Sequence, residues 1–192
     1  MPSPSPASEA RTTWMERIEP GDLVLLRRLP EAWDTALAGA RQAGHGSELA
    51  ALGALVDPDA ALPDPAPPAG SYRCRTIKIG AQGDLLEYIA YSWFECDISD
   101  GPRGTLRFEK TTGSQRQEGY LYPDNDRRMV FLGALALGGQ ETAAPEYGEQ
   151  PERDVAAVLE RVGRERWRLV EPWPEYESII VLLEIVPRSH GG

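Results

Sequence analysis

The stretch from residue 71 to residue 98 constrains the fold most, because it holds both cysteines of the chain within two runs of strand-forming residues. Cys74 lies in the first run and Cys96 in the second. Gly80, Gly83 and Asp84 stand between the runs and favour a turn there. The pattern therefore predicts two neighbouring antiparallel strands joined by a long connection.

A register with the two cysteines directly opposite each other can be tested by the other pairs that it creates. It places Arg73 against Asp97 and Arg75 against Glu95, which are two pairs of opposite charge. A slip by one residue would turn one strand over and destroy both pairs. We take this register as the working hypothesis.

The cysteine pair is either a disulfide or two buried thiols. The spacing is far from that of a zinc site. If the register holds, a disulfide between Cys74 and Cys96 is geometrically possible and would stabilise the fold by about 3 kcal/mol. We expect this bond, which indicates an oxidising compartment such as a bacterial periplasm.

Further strand-like segments follow towards the C-terminus. Residues 105–111 and 117–122 flank a turn and predict a hairpin in which Lys110 faces Glu118. Residues 155–162 fit either a helix or a strand, and we favour the strand slightly. The remaining predicted strands are 127–137, 167–170 and 179–186.

The segment before these strands is of a different kind. Residues 14–56 predict helices at 20–29, 30–43 and 47–56, with an apolar stripe that runs from Leu23 to Leu37. We expect this helical segment to pack on the strand domain. The other predicted segments are a disordered leader at 1–13, a proline-rich strap at 57–70 and a frayed tail at 188–192.

The whole pattern predicts a mainly β fold with N-terminal helices. Residues 71–187 read as a meander of seven or eight antiparallel strands. Closure of such a sheet removes its edges, so a lipocalin-like or avidin-like barrel is the first prediction. A two-sheet β-sandwich is the alternative.

Charge and composition exclude several functions. The net charge of -10 disfavours nucleic acid as a partner. Lys78 and Lys110 are the only lysines among 20 basic residues, and we interpret this arginine bias as a reflection of genomic base composition. No apolar run reaches transmembrane length, and no export signal is recognisable at the N-terminus. A monomer is expected.

No catalytic, metal-binding or cofactor signature is present. His45 and His190 are the only histidines, and no GxSxG motif accompanies them. We therefore expect a non-enzymatic protein without a cofactor or a metal. Two functions remain: a barrel that binds a small molecule, or a protein-interaction module such as an inhibitor or an assembly factor.

Five residues are candidates for ligand binding. The aromatic residues Tyr88, Tyr91 and Trp93 could line a barrel mouth and grip a flat apolar or aromatic ligand. Ser114 and Arg116 belong to a hydroxyl-rich turn that could bind an anion through backbone N–H groups. Core packing and an ordinary hairpin loop are the alternative interpretations of the two sets.

Several segments resemble one known family. They are residues 70–80, 94–96, 113–116, 126–128, 131–133, 167–170 and 172–174. Together they resemble an uncharacterised bacterial family of the domain-of-unknown-function 4893 type, over most of the chain from about residue 14 to residue 187. Because members of that family usually carry export signals, the resemblance implies a periplasmic or secreted protein; a cytoplasmic location is the alternative, since no such signal is recognisable in this sequence. It brings no activity, substrate or catalytic residue.

Overall fold

A computed structural model describes residues 13–188, and its centre is a closed barrel of eight antiparallel strands. Each strand pairs with the next along the chain, and the last pairs with the first. The prediction of a meander closed into a barrel is therefore confirmed. The strands are β1 (Gly70–Ala81), β2 (Tyr88–Asp100), β3 (Leu106–Lys110), β4 (Gln115–Pro123), β5 (Arg128–Leu137), β6 (Asp154–Gly163), β7 (Arg166–Pro172) and β8 (Ser178–Pro187).

The helices between residue 20 and the barrel are α1 (Pro20–Arg27), α2 (Leu29–Gln42) and α3 (Gly46–Leu52), and a 3-10 turn follows at Gly53–Val56. A proline in the first turn of α1 and of α2 explains where each begins, since proline lacks the N–H that an interior position must donate. Gly44, at a φ of +93°, follows the end of α2.

The helices lie on the outer face of the barrel. Trp33 and Leu37 of α2 are buried in one cluster with Ile77 and Ile180 of the barrel wall. The approach is closest at Gly80, which has a φ of +75°, and a Cβ atom there would lie 2.9 Å from the Cα of α2 residue Ala36. Glycine is therefore required where β1 passes under α2.

The predicted register of β1 and β2 is wrong by two residues. Tyr72 pairs with Cys96, and Cys74 pairs with Phe94, so Arg73 faces Glu95 rather than Asp97. A shift of two residues keeps each side chain on its face, because strand side chains alternate with a period of two. Both cysteines therefore point into the barrel, and their disulfide spans a Cα–Cα distance of 6.0 Å. The expected disulfide is therefore present, although Cys74 and Cys96 are not directly opposite each other in the ladder.

The predicted register of β3 and β4 is wrong by one residue, and this error matters more. Glu118 pairs with Glu109 rather than with Lys110, and Phe108 pairs with Gly119. A one-residue slip reverses the faces of one strand relative to the other. Lys110 shares the interior with Phe108, two residues away on the same strand, and the slip moves Glu118 to the outer face, beside Arg107 at 3.6 Å.

The ambiguous segment at 155–162 lies within strand β6, as favoured from the sequence. Residues Val155, Ala157 and Leu159 point into the barrel, while Val158 faces the helices. The helix alternative is therefore wrong.

The segment at 57–70 crosses one end of the barrel and is held by hydrogen bonds to its backbone carbonyls. Trp167 Nε1 donates to Pro65 O at 2.9 Å, and Arg161 Nη2 donates to Pro63 O at 2.6 Å. Tyr72 Oη donates to Pro68 O at 2.5 Å. The proline rings and Trp167 thus cover that end.

The predicted leader at 1–13 and the predicted tail at 188–192 lie outside the described residues, apart from Thr13 and Arg188. Between residues 13 and 188, no helix is long and apolar enough to span a bilayer.

Candidate functional site

A polar cavity opens at the end of the barrel opposite the proline-rich strap. It has a volume of about 230 Å³ and reaches into the interior between the ends of the strands. The loop between β7 and β8 covers part of the opening. Its lining residues include Thr76, Lys78, Lys110, Gln117, Glu171 and Glu177. We call this space the mouth cavity.

Both lysines of the chain line the mouth cavity, and Lys110 lies deeper. Only 5% of its surface is exposed. Its Nζ donates to Gln115 O at 2.9 Å and lies 4.2 Å from the centre of the Phe94 ring. Burial lowers the pKa of Lys110 to about 8, and the positive charges of Arg116 and Lys78 add to this effect. A ligand with a negative charge beside Lys110 would therefore stabilise the charged form of this lysine.

Lys78 lies on β1 and links the strand to the covering loop. Its Nζ forms a salt bridge with Glu177 and lies 5.6 Å from the centre of the Tyr91 ring. The Lys78 side chain is 11% exposed, whereas that of Glu177 is 51% exposed. Because Glu177 is half exposed, its salt bridge with Lys78 contributes little to stability, and a ligand can replace Glu177 as the partner of Lys78 at low cost.

Glu171 lies on the opposite wall, near the end of β7. Burial raises the pKa of Glu171 to about 8. The nearby Asp22 raises it further, and Lys78 opposes the shift. Glu171 is therefore mostly protonated at neutral pH and presents both a donor and an acceptor to the cavity.

Two neutral side chains of the cavity have unpaired polar atoms. Thr76 is 8% exposed and Gln117 is 5% exposed. Within residues 13–188, neither Thr76 Oγ1 nor Gln117 Oε1 has a hydrogen-bond partner. A buried polar atom without a partner costs about 1 to 3 kcal/mol, so such atoms generally mark a place where water or a ligand binds. Both atoms belong to residues that line the mouth cavity.

The floor of the cavity is apolar and cross-linked. The Cys74–Cys96 disulfide lies inside the barrel in one cluster with Phe108, Phe131 and Leu183. These side chains fill the interior between the mouth and the strap. The barrel interior is therefore filled with side chains on the side of the strap and open at the mouth cavity.

Of the five residues predicted to bind a ligand, two lie beside the mouth cavity and three do not. Tyr91 and Ser114 line a second space of about 160 Å³ that shares Thr76, Lys78 and Lys110 with the mouth cavity. These two residues therefore stand at its rim. Their role in binding stays a prediction.

The other three residues lie elsewhere. Tyr88 stacks on His45 at the helices, with 5.4 Å between the ring centres, and the ring of Trp93 lies 4.9 Å from the guanidinium of Arg73 on the outer surface. Arg116 donates to the backbone carbonyls of Gly113, Gly138 and Glu141, which ties two loops together. The Arg116 guanidinium therefore stabilises the loops beside the mouth cavity through these hydrogen bonds.

Sequence analysis missed Lys78, Lys110, Glu171, Thr76 and Gln117 as site residues. One signal was present, because the only two lysines of the chain are both found in this cavity. Their scarcity was interpreted as base composition, and the one-residue error at β3 and β4 had placed Lys110 beside Glu118. The predicted pair gave Lys110 a carboxylate partner, whereas the observed register places Glu118 on the other face of the sheet.

Metal chemistry finds no support in the part of the chain that the structure describes. No group of three or more histidine, cysteine, aspartate or glutamate side chains is arranged there to hold a metal ion. The mouth cavity offers amine, amide, hydroxyl and carboxyl groups, which bind small polar molecules by hydrogen bonds and charge.

Comparison with known proteins gives a family but no activity. A family model described as a domain of unknown function (DUF4893) matches residues 14–185. No curated protein and no solved structure matches the chain.

Proposed function

The chain belongs to the DUF4893 family, a domain of unknown function, and we propose that it is a non-enzymatic protein that binds a small polar molecule in the mouth cavity. The observation that carries this proposal is the pair of buried, unpaired atoms, Thr76 Oγ1 and Gln117 Oε1, beside the two lysines of the chain. A ligand that reaches these atoms supplies the hydrogen bonds that the protein itself does not provide.

The lining favours a polar ligand over the flat apolar or aromatic ligand expected from the sequence. Aromatic contact is limited to the rim, at Tyr91, and to the Phe94 ring beneath Lys110. An apolar ligand would leave Gln117 Oε1 without a partner and would offer no negative charge to the buried Lys110, which is unfavourable.

The disulfide supports a location in the bacterial envelope or outside the cell. Such bonds persist in oxidising compartments and are rare in the cytosol. A periplasmic binding or carrier protein is the form of the proposal that agrees with it.

Native mass spectrometry of the protein isolated from its own host tests the proposal. We expect a retained small molecule on the wild-type protein that is lost from Lys110→Met. Arg164→Met is the matched control, because Arg164 is an exposed basic residue in the turn between β6 and β7, at the other end of the barrel. Retention should be unchanged in this control.

The proposal is wrong if the wild-type protein carries no small molecule and if a library of polar metabolites leaves its melting temperature unchanged. It is also wrong if Lys110→Met and Arg164→Met retain the same molecule equally.

A protein-interaction role is the second candidate, because apolar side chains are exposed around the same opening. Leu85 and Leu86, in the loop between β1 and β2, are 53% and 67% exposed, and Tyr176 in the covering loop is 70% exposed. Exposed apolar residues mark a binding surface where they form a contiguous patch, and Leu85 and Leu86 are adjacent in the chain. The variant Leu85→Ser/Leu86→Ser separates the two functions, since it should keep the small molecule and lose only a protein partner.

A further inference from the structure

The charged groups of the mouth cavity are divided between two walls. Lys78 lies on β1 and Lys110 on β3, whereas Glu171 lies on β7. In a closed barrel of eight strands, β3 and β7 are four strands apart in either direction and therefore face each other across the interior. Lys110 and Glu171 thus lie on opposite walls of the cavity.

Resting on the proposed function, we infer that the ligand is a small zwitterion with the chemistry of a free α-amino acid. Its carboxylate lies at the wall formed by Lys78 and Lys110. Its ammonium group lies at Glu171 on the opposite wall.

Of the two neutral groups, the Thr76 hydroxyl fits this orientation, because it lies on β1 with Lys78 and can donate to the carboxylate. Gln117 lies on β4 beside Lys110 of β3, so its Oε1 is on the lysine side of the cavity and does not distinguish the two ends of the ligand. Charge-assisted hydrogen bonds of this kind are about twice as strong as neutral ones.

The size of the cavity supports a small ligand. Its volume of about 230 Å³ lies below the range of about 300 to 1,000 Å³ that is typical of pockets for drug-sized molecules. It is equivalent to the volume of about eight water molecules at about 30 Å³ each, which suits a metabolite of a few heavy atoms.

A ligand with a single charge fits less well. A simple carboxylate satisfies the lysine wall but leaves Glu171, on the opposite wall, without a cation. A simple amine satisfies Glu171 and leaves Lys110 buried without an anion. Only a molecule with both charges matches both walls.

Proton exchange during binding provides an independent signature. A carboxylate beside Lys110 favours its charged form against the repulsion of Arg116 and Lys78, so the lysine takes up a proton. An ammonium group beside Glu171 favours the carboxylate against the effects of burial and of Asp22, so the glutamate releases a proton. The two changes oppose each other for a zwitterion, whereas a simple acid causes only uptake and a simple amine only release.

The test uses the full chain with its disulfide intact. The twenty standard amino acids are first screened by their effect on the melting temperature. The best one is then compared by calorimetry with two matched probes, the same molecule without its amino group and the same molecule without its carboxyl group. Titrations at pH 8, where Lys110 and Glu171 are each about half protonated, in two buffers of different ionisation enthalpy measure the proton exchange.

We expect the amino acid to bind at least tenfold more tightly than either probe, with little net proton exchange. Lys110→Met should abolish its advantage over the amine, and Glu171→Gln should abolish its advantage over the acid. Unfolding by urea confirms that each variant is folded.

Equal affinity for the acid and the amino acid would overturn the inference and leave the proposed function standing. The same holds if the molecule retained from the host carries a single charge. If no probe binds and no molecule is retained, the proposed function itself fails.

Discussion

Replacing Glu171 with glutamine should change the way in which stability depends on pH. Burial raises the pKa of Glu171 from 4.5 to about 8, so the folded protein keeps a proton that the unfolded chain has lost. The stabilisation from this proton is complete below the unfolded value and is lost as the pH rises through the folded one. Glutamine has nearly the same shape and no charge, so the variant lacks this dependence.

The size of the effect follows from the two pKa values. Between pH 5 and pH 8, the free energy of unfolding of the wild-type protein should fall by about 3 kcal/mol relative to that of Glu171→Gln. With a urea dependence of about 1 to 3 kcal/mol per molar, the difference between the two urea midpoints should change by about 1 to 3 M over this range.

Urea unfolding at pH 5, 6, 7 and 8, followed by tryptophan fluorescence, measures the difference. Glu152→Gln is the control for loss of a carboxylate at the same opening, because Glu152 is exposed. If the wild-type protein and Glu171→Gln lose stability in parallel from pH 5 to pH 8, Glu171 is not the buried acid described above.

Three further predictions concern the frame around the cavity. Replacing both Cys74 and Cys96 with alanine should lower the stability of the oxidised protein by about 3 kcal/mol and change the reduced protein much less, as thermal unfolding with and without reductant would show. Arg168→Met should cost about 3 to 5 kcal/mol in urea unfolding, because Arg168 is fully buried and its loss leaves Glu160, 2.7 Å away, without its partner; a cost below 1 kcal/mol would contradict this. Gly80→Ala should cost about 1 to 3 kcal/mol by the same assay, because the added Cβ meets the backbone of α2 at a positive φ, and an unchanged midpoint would refute the close approach.

The fold was largely predictable from the sequence because its signals are local. Runs of β-branched residues separated by turns indicated the strands, and the proline at the start of α1 and of α2 indicated where these helices begin. The disulfide was also predictable, since an error of two residues left Cys74 and Cys96 on the same face.

The site was not predictable, because it depends on which way single side chains point. The predicted register pairs Lys110 with Glu118, but it differs by one residue from the observed one, which places Glu118 on the outer face and leaves Lys110 in the interior without that carboxylate. Glu171 could not be recognised because its partners come from distant parts of the chain, including Asp22 on α1. Closure of the barrel brings these groups together, and no local pattern in the sequence predicts which residues will meet.

A crystal structure of the protein purified from its own host without denaturation tests the central claim most directly. We expect electron density for a small molecule in the mouth cavity, within hydrogen-bond distance of Thr76 Oγ1, Gln117 Oε1 and Lys110 Nζ. Density for separate water molecules alone, both in these crystals and in crystals soaked with amino acids, would contradict the claim that the barrel binds a ligand there.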